Sequence, residues 1–141
     1  MAIKLNVETT KIDFDFAGLE VTADVSDSNI KKLLELRDGD LQEDADAAAK
    51  EVAGMNEEDV TAEDFERMYL LCVDLYGQIY EPVFGEGSFK KVYEHVGSIQ
   101  STIKAFDEAL DYIITDIYKR NEEGIKARDN KLAKYKKRKK K

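Results

Sequence analysis

The sequence predicts an α+β protein that is mostly helical, with an N-terminal β-hairpin followed by four or five helices. Three observations support this fold class. Apolar and polar residues alternate through residues 3–25, which is typical of strands. From Ser26 onward the apolar residues recur at helical spacing. Ser, Thr, Gly and Pro residues then separate the helical segments, as they do at helix ends.

The length of 141 residues suits one domain with a single core. We expect one globular domain at residues 1–125, with the hairpin in 1–25 and the helices in 26–125. Beyond it, we expect the last helix to run into a basic C-terminal tail at residues 126–141.

The hairpin prediction depends on the pair Ala17 and Gly18, which lie between two alternating runs. Gly18 permits the positive φ that a two-residue hairpin turn requires. An earlier alternating run, at residues 3–7, also predicts β structure. Since an isolated hairpin is marginal in water, its apolar face must pack on helices or on another chain. That face would consist of the cross-strand pairs Phe16–Leu19, Phe14–Val21 and Ile12–Ala23.

The first two helices are predicted between Ser26 and Gly54. Ser26, Asp27 and Ser28 are good N-cap residues for the first, and Gly39 ends it. The second is rich in alanine and has a thin apolar face, so we expect an exposed or mobile helix. That face consists of Leu41, Ala45, Ala48, Ala49 and Val52.

Three further helices are predicted in the second half of the chain. Thr61 begins the first of them, with Asp64 placed to complete a variant capping box, and Pro82 ends it. Ser88 is the predicted N-cap of a short helix that ends at Gly97. The last helix begins at Ser98, with an apolar stripe that continues to about residue 118.

The charge is divided unevenly along the chain. Residues 126–141 contain ten basic residues and one acidic residue, so this segment carries +9. Since the whole chain carries −8, residues 1–125 carry −17. Residues 1–125, which we call the body, are acidic enough to repel phosphate. Any contact with a nucleic acid would therefore have to come from the tail. We interpret the tail first as a solvated, charged helix end, because runs of like charge usually remain solvated. Proteins that bind single strands stack bases on aromatic side chains, and the tail has only one, Tyr135.

The chain contains no residue pattern that predicts an enzyme. The single histidine, His95, lies near a helix end, where we expect it to contact the last carbonyl groups. Cys72 lies on an apolar helical stripe and is expected to be inert. The segment FGEGSFKK lacks the spacing of a phosphate-binding loop, and the acidic segments lack the spacing of a calcium loop. We therefore expect no catalytic residue, no cofactor and no dedicated metal site.

The composition also predicts where the protein works. No apolar run approaches the roughly 20 residues that span a bilayer, and MAIKLNVETT contains no apolar core of a signal peptide. One cysteine fits a reducing compartment. We expect an intracellular protein without a membrane partner.

The order of elements resembles that of the tail assembly chaperones of long-tailed, siphovirus-like bacteriophages and prophages of Gram-positive bacteria. The resemblance covers residues 3–120. It rests on the hairpin segment KIDFDFAGLEVTADV, the capped helix DSNIKKLLELRD, an acidic linker, and a tyrosine-rich helix. After these come the turn segment YEPVFGEGSFKKVYEHVG and the long helix that begins SIQSTIKAFDEALDYI.

The resemblance implies a non-catalytic protein of virion assembly that binds the tape measure protein and keeps it in solution. It further implies recruitment of tail tube protein subunits, a location in the host bacterial cytoplasm, and absence from the mature virion. Two alternatives remain open: a small nucleic-acid-associated regulator that uses the basic tail, and a minor structural component of the tail.

A chaperone of this kind needs exposed apolar strips on a charged body. Core packing is the competing interpretation for every apolar residue that we select. An exposed hairpin edge would also let strands of two subunits pair, which would give a homo-oligomer. The candidate partner-binding residues are the hairpin residues Phe14, Phe16, Leu19 and Val21 and the aromatic residues Tyr76, Tyr80, Phe84 and Tyr93.

Overall fold

The fold was obtained as a computed structural model that describes residues 1–7, 9–55 and 60–139. The predicted α+β class, mostly α, is confirmed. Residues 56–59 of the acidic linker and the last two residues of the predicted tail lie outside the described residues. The elements are β1 (Lys11–Phe16), β2 (Leu19–Asp24), α1 (Asp27–Arg37), α2 (Asp40–Ala53), α3 (Ala62–Phe84), α4 (Ser88–Val96) and α5 (Ile99–Lys139).

The hairpin has the predicted register. Phe16 pairs with Leu19, and the ladder continues outward from this pair to Lys11 and Asp24. Ala17 and Gly18 have φ values of 52° and 96°, so both central residues of the turn are left-handed, as a type I′ turn requires. Asp15 supports the turn, because its carboxylate accepts a hydrogen bond of 2.6 Å from the Gly18 N–H.

The prediction of β structure at residues 3–7 is wrong for this conformation. Residues 1–7 belong to no strand and are exposed throughout. An alternating sequence forms a strand only where a second strand satisfies its backbone groups. Thr10 is held by the hairpin instead, since its carbonyl accepts a hydrogen bond of 2.7 Å from the Val25 N–H.

The prediction that α2 is exposed or mobile is also wrong, because α2 packs on α3. Ala45, Ala48 and Val52 are buried. Small side chains let two helix backbones approach closely, so a thin apolar face is enough to bury the helix. The Tyr76 hydroxyl of α3 also donates a hydrogen bond of 2.8 Å to the Asp46 carboxylate of α2.

Helix α3 begins as predicted and ends later than predicted. The Thr61 hydroxyl accepts a hydrogen bond of 3.2 Å from the Asp64 N–H, which confirms the cap. Pro82 does not end the helix, which continues to Phe84 and stops at Gly85. Pro82 removes one backbone donor, its own N–H, and lies only two residues before the end of the helix. The Gly85 N–H still reaches the Glu81 carbonyl at 2.9 Å.

The N-cap of α4 differs from the prediction. Gly87, with a φ of 74°, occupies the N-cap position, and Ser88 is the first residue of the helix. The Ser88 hydroxyl is buried and makes no hydrogen bond. The Gly87 N–H donates to the Glu81 carboxylate at 3.1 Å, so α3 itself supports the turn. Gly97, with a φ of 81°, ends α4 as predicted.

The core of the first part of the chain is built around Phe106. Its ring stacks on Phe16 of β1 with 4.8 Å between the ring centroids. It also contacts Tyr80 and Phe84 of α3 at 5.1 and 5.0 Å and Phe89 of α4 at 5.0 Å. The hairpin and three helices thus meet at one fully buried ring.

The chain divides into two compact units, residues 1–106 and residues 107–141. The first contains the hairpin, α1 to α4 and the start of α5. The second consists of the rest of α5, which stays helical through the basic segment to Lys139. Ion pairs one helical turn apart run along it, Arg120 with Asp116 at 3.1 Å and Lys126 with Glu122 at 3.4 Å. The predicted domain boundary at residue 125 stays a prediction.

Replacing Phe106 with alanine is expected to lower the free energy of unfolding by about 3–5 kcal/mol, because it empties the centre of the aromatic cluster. The control is Leu70→Ala at a side chain that is 53 % exposed, where we expect a change within about 0.5 kcal/mol. Urea denaturation followed by circular dichroism measures both. Similar losses for the two variants would contradict the assigned core.

Replacing Ala17 with asparagine is expected to raise the free energy of unfolding by up to about 1 kcal/mol, because asparagine tolerates positive φ better than alanine. Gly18→Ala is the opposite test. An added Cβ would meet its nearest neighbour at an ordinary 3.8 Å, so the φ of 96° is the main penalty. We expect a loss of about 1–2 kcal/mol. Equal effects of both changes in the same denaturation assay would argue against a left-handed turn.

Candidate partner-binding surfaces

The structure divides the eight candidate partner-binding residues into two groups. Four of them are buried and contact residues of their own chain: Phe16, Tyr76, Tyr80 and Phe84. The other four are partly exposed: Phe14, Leu19, Val21 and Tyr93. The role of all eight in partner binding stays a prediction, and only the second group presents surface to another molecule in this conformation.

The three partly exposed hairpin residues lie side by side on one face of the sheet. Phe14 pairs directly with Val21, and Leu19 pairs with the buried Phe16. The Phe14 ring also contacts Phe84 of α3, with 5.9 Å between the centroids. One side of the Phe14 ring therefore belongs to the core, while its exposed part extends the apolar surface outward. The opposite face of the hairpin carries the exposed carboxylates Asp13, Asp15 and Glu20.

Tyr93 lies in a groove formed by four helices of the first unit. The groove has a volume of about 360 Å³. One tyrosine from α3 and one from α4 line it, together with the end of α2 and the start of α5. Its lining residues are Val52, Ala53, Tyr69, Tyr93, Gly97, Ser98, Ile99 and Gln100.

The chemistry of this groove is apolar with hydroxyl groups at its wall. Burial raises the pKa of Tyr93, and the neighbouring Tyr69 and Cys72 raise it further, so the hydroxyl is uncharged at neutral pH. Ser98 already caps α5, because its hydroxyl accepts a hydrogen bond of 3.2 Å from the Ser101 N–H. A neutral tyrosine can bury its ring against an apolar side chain while its hydroxyl binds a polar group.

His95 makes a contact that the sequence did not predict. We expected it to bind the last carbonyls of its own helix. Its Nε2 instead lies 2.7 Å from the Ala17 carbonyl oxygen in the hairpin turn. This contact joins the end of α4 to the tip of the hairpin. No local sequence signal could have found it, because the two residues are 78 positions apart.

The exposed apolar residues that were not selected as binding residues from the sequence include two groups of neighbouring side chains. The first consists of Ile3, Leu5 and Val7, which are 87 %, 74 % and 86 % exposed. Their alternation was visible, but it predicted a strand rather than a free segment. The second is Leu70 and Leu71 on α3, which are 53 % and 42 % exposed. Leu70 also lines a shallow groove of about 300 Å³ between α3 and α4.

The described residues contain few groups suited to catalysis or metal binding. Within residues 1–7, 9–55 and 60–139, no group of three or more His, Cys, Asp or Glu side chains is placed to hold a metal ion. Cys72 is fully buried on α3. The expectation that the protein is not an enzyme stays a prediction.

Within the described residues, no helix combines the length and the apolar character that crossing a bilayer requires.

Comparison of the chain with protein-family models, with curated proteins and with solved structures found no match.

The Cys72 thiol is expected to react slowly with a disulfide reagent in the native state, because burial raises the pKa of the thiol and blocks access. At each pH between roughly 7 and 9 the native chain should react more slowly than the unfolded chain, because the raised pKa leaves a smaller fraction of the thiol ionised. Reaction rates with and without 8 M urea, at roughly these values of pH, test this. Equal rates in both states would show that Cys72 is accessible.

Proposed function

We propose that this protein is a non-catalytic tail assembly chaperone of a long-tailed bacteriophage or prophage. In this role it binds the tape measure protein in the host cytoplasm, keeps it in solution and helps to recruit tail tube protein subunits. The order of the elements supports the proposal, since the hairpin, the capped α1, the tyrosine-rich α3, the glycine turn and the long α5 follow one another as in the sequences it resembles.

The charge of the body supports a solubilising role. Residues 1–125 carry −17, and Asp13, Asp15 and Glu20 of the hairpin are exposed. Strong like charge keeps complexes apart and so opposes aggregation of an apolar client. The cations of the basic segment lie at the other end of the chain, from Lys126 onward.

The single observation that carries the proposal is the groove of Tyr69 and Tyr93, an apolar cleft left open on an acidic body. Clefts with aromatic walls and a few hydroxyl groups are common at recognition sites, and tyrosine is enriched among the residues that dominate binding energy. A long helical client presents apolar side chains at regular spacing, and one of them would enter this groove.

Co-expression with the tape measure protein encoded beside it is the direct test. We expect the tape measure protein to become soluble and to co-elute with this chain in size-exclusion chromatography. Tyr93→Glu should reduce the co-eluting fraction about tenfold or more, because it places a charge in the groove. The matched control, Tyr112→Glu, makes the same change at a tyrosine that is 60 % exposed and outside the groove.

Three results would overturn the proposal. The first is a tape measure protein that stays insoluble while the folded wild-type chain elutes alone. The second is salt-dependent DNA binding that disappears when residues 126–141 are deleted, which would favour the regulator. The third is the presence of the chain in purified virions, which would favour a structural component. Circular dichroism of each variant separates loss of binding from loss of fold.

A further inference from the structure

The hairpin leaves one backbone edge open. Within the part of the chain that the structure describes, the sheet has two strands, β1 and β2. In an antiparallel pair, alternate residues direct their N–H and C=O groups toward the partner strand, and the residues between them direct theirs outward. The Val25 N–H donates to the Thr10 carbonyl, so Thr10, Ile12, Phe14 and Phe16 face β2. The backbone groups of Asp13 and Asp15 therefore point away from the sheet.

The outer edges of the two strands differ. On β2, the Asp24 carbonyl already accepts a hydrogen bond of 3.1 Å from the Asn29 side chain at the start of α1. On β1, the Lys11 N–H donates to the Thr9 hydroxyl at 3.1 Å, so that end is also closed. The strand β2 also packs against α3 and α4. The middle of β1, at Asp13 and Asp15, is thus the part of the sheet best placed to accept another strand.

Residues 1–7, which we call the arm, have the properties of the missing strand. Ile3, Leu5 and Val7 alternate with polar residues and are almost fully exposed. The five residues from 3 to 7 span about 17 Å when extended, close to the length of the six residues of β1. In strand addition, an extended segment with alternating apolar residues binds to an open sheet edge, and the arm and β1 provide these two elements.

The arm and the outer edge of β1 also match in side-chain chemistry. When the arm runs antiparallel to β1 with Leu5 opposite Phe14, Ile3 lies opposite Phe16 and Val7 opposite Ile12. All the apolar residues then share the face on which Phe14 is partly exposed. On the other face, Lys4 lies beside Asp15, so a cation meets a carboxylate, and the Asn6 amide lies beside Asp13.

We propose that the arm of one copy adds to β1 of a second copy as an antiparallel third strand. The occupant is a second copy rather than the arm of the same chain because this register requires the chain to reverse within residues 8–11. Thr10 and Lys11 are not available for such a turn. The Thr10 carbonyl accepts a hydrogen bond from the Val25 N–H and extends the ladder, and the Lys11 N–H donates to the Thr9 hydroxyl. This inference does not depend on the proposed function.

Two single variants and one matched control define the contact. Leu5→Asp disables the arm by placing a charge on its apolar face. Asp13→Pro disables the edge, because proline removes the outward N–H, and an edge strand tolerates proline where that N–H faces solvent. Asp13→Ala is the control. It loses the same carboxylate, and with it the 2.6 Å hydrogen bond from the Thr22 hydroxyl, but keeps the N–H.

Sedimentation velocity over a range of concentrations is the measurement. We expect the wild-type chain and Asp13→Ala to associate, and Leu5→Asp and Asp13→Pro to raise the dissociation constant about tenfold or more. A mixture of the two defective variants, each with its own fluorescent label, should form a one-to-one heterodimer and nothing larger. Only one intact arm and one intact edge are available in that mixture.

Any of three outcomes would overturn the proposal. A wild-type chain that is monomeric at every concentration has no second copy on its edge, whether its arm is free or folded back. Association that survives Leu5→Asp unchanged would place the interface elsewhere. Failure of the two defective variants to form a heterodimer would show that arm and edge are not partners.

Discussion

The packing of Phe16 on Phe106 is the contact on which the rest of the first unit depends. A two-stranded hairpin has too little buried surface to persist alone, so its fold requires an external apolar surface. Phe106 supplies that surface and at the same time joins α3 and α4 through Tyr80, Phe84 and Phe89. Loss of this ring would release the hairpin and loosen the helices together.

This core also determines which residues remain for partners. The aromatic side chains near the hairpin tip and on α3 pack within the core of their own chain. Four of the candidate residues are therefore buried: Phe16, Tyr76, Tyr80 and Phe84. The surfaces left over include the outer part of the hairpin face at Phe14, the groove at Tyr93, and the arm. Packing of the hairpin on the helices thus stabilises this unit and also determines which apolar surfaces remain exposed to a partner.

The two proposed interactions use different parts of the fold and different physical forces. The groove would bind an apolar side chain of a client, and its tyrosine hydroxyls would contribute orientation. The edge of β1 would bind backbone to backbone, and alternating side chains would set the register. Because the residues involved do not overlap, a client and a second copy can in principle be bound together by one chain.

The sequence by itself determined the class of fold, the hairpin register and the cap of α3 at Thr61, because each depends on residues close in the chain. It also determined the uneven charge. Only the tertiary structure decided that α2 is packed, that α3 continues past Pro82, that His95 binds the hairpin tip and that four of the candidate aromatics are buried. These features depend on contacts between residues that are distant in the chain. A local pattern of apolar residues cannot distinguish a side chain that packs in the core from one that is exposed and binds a partner.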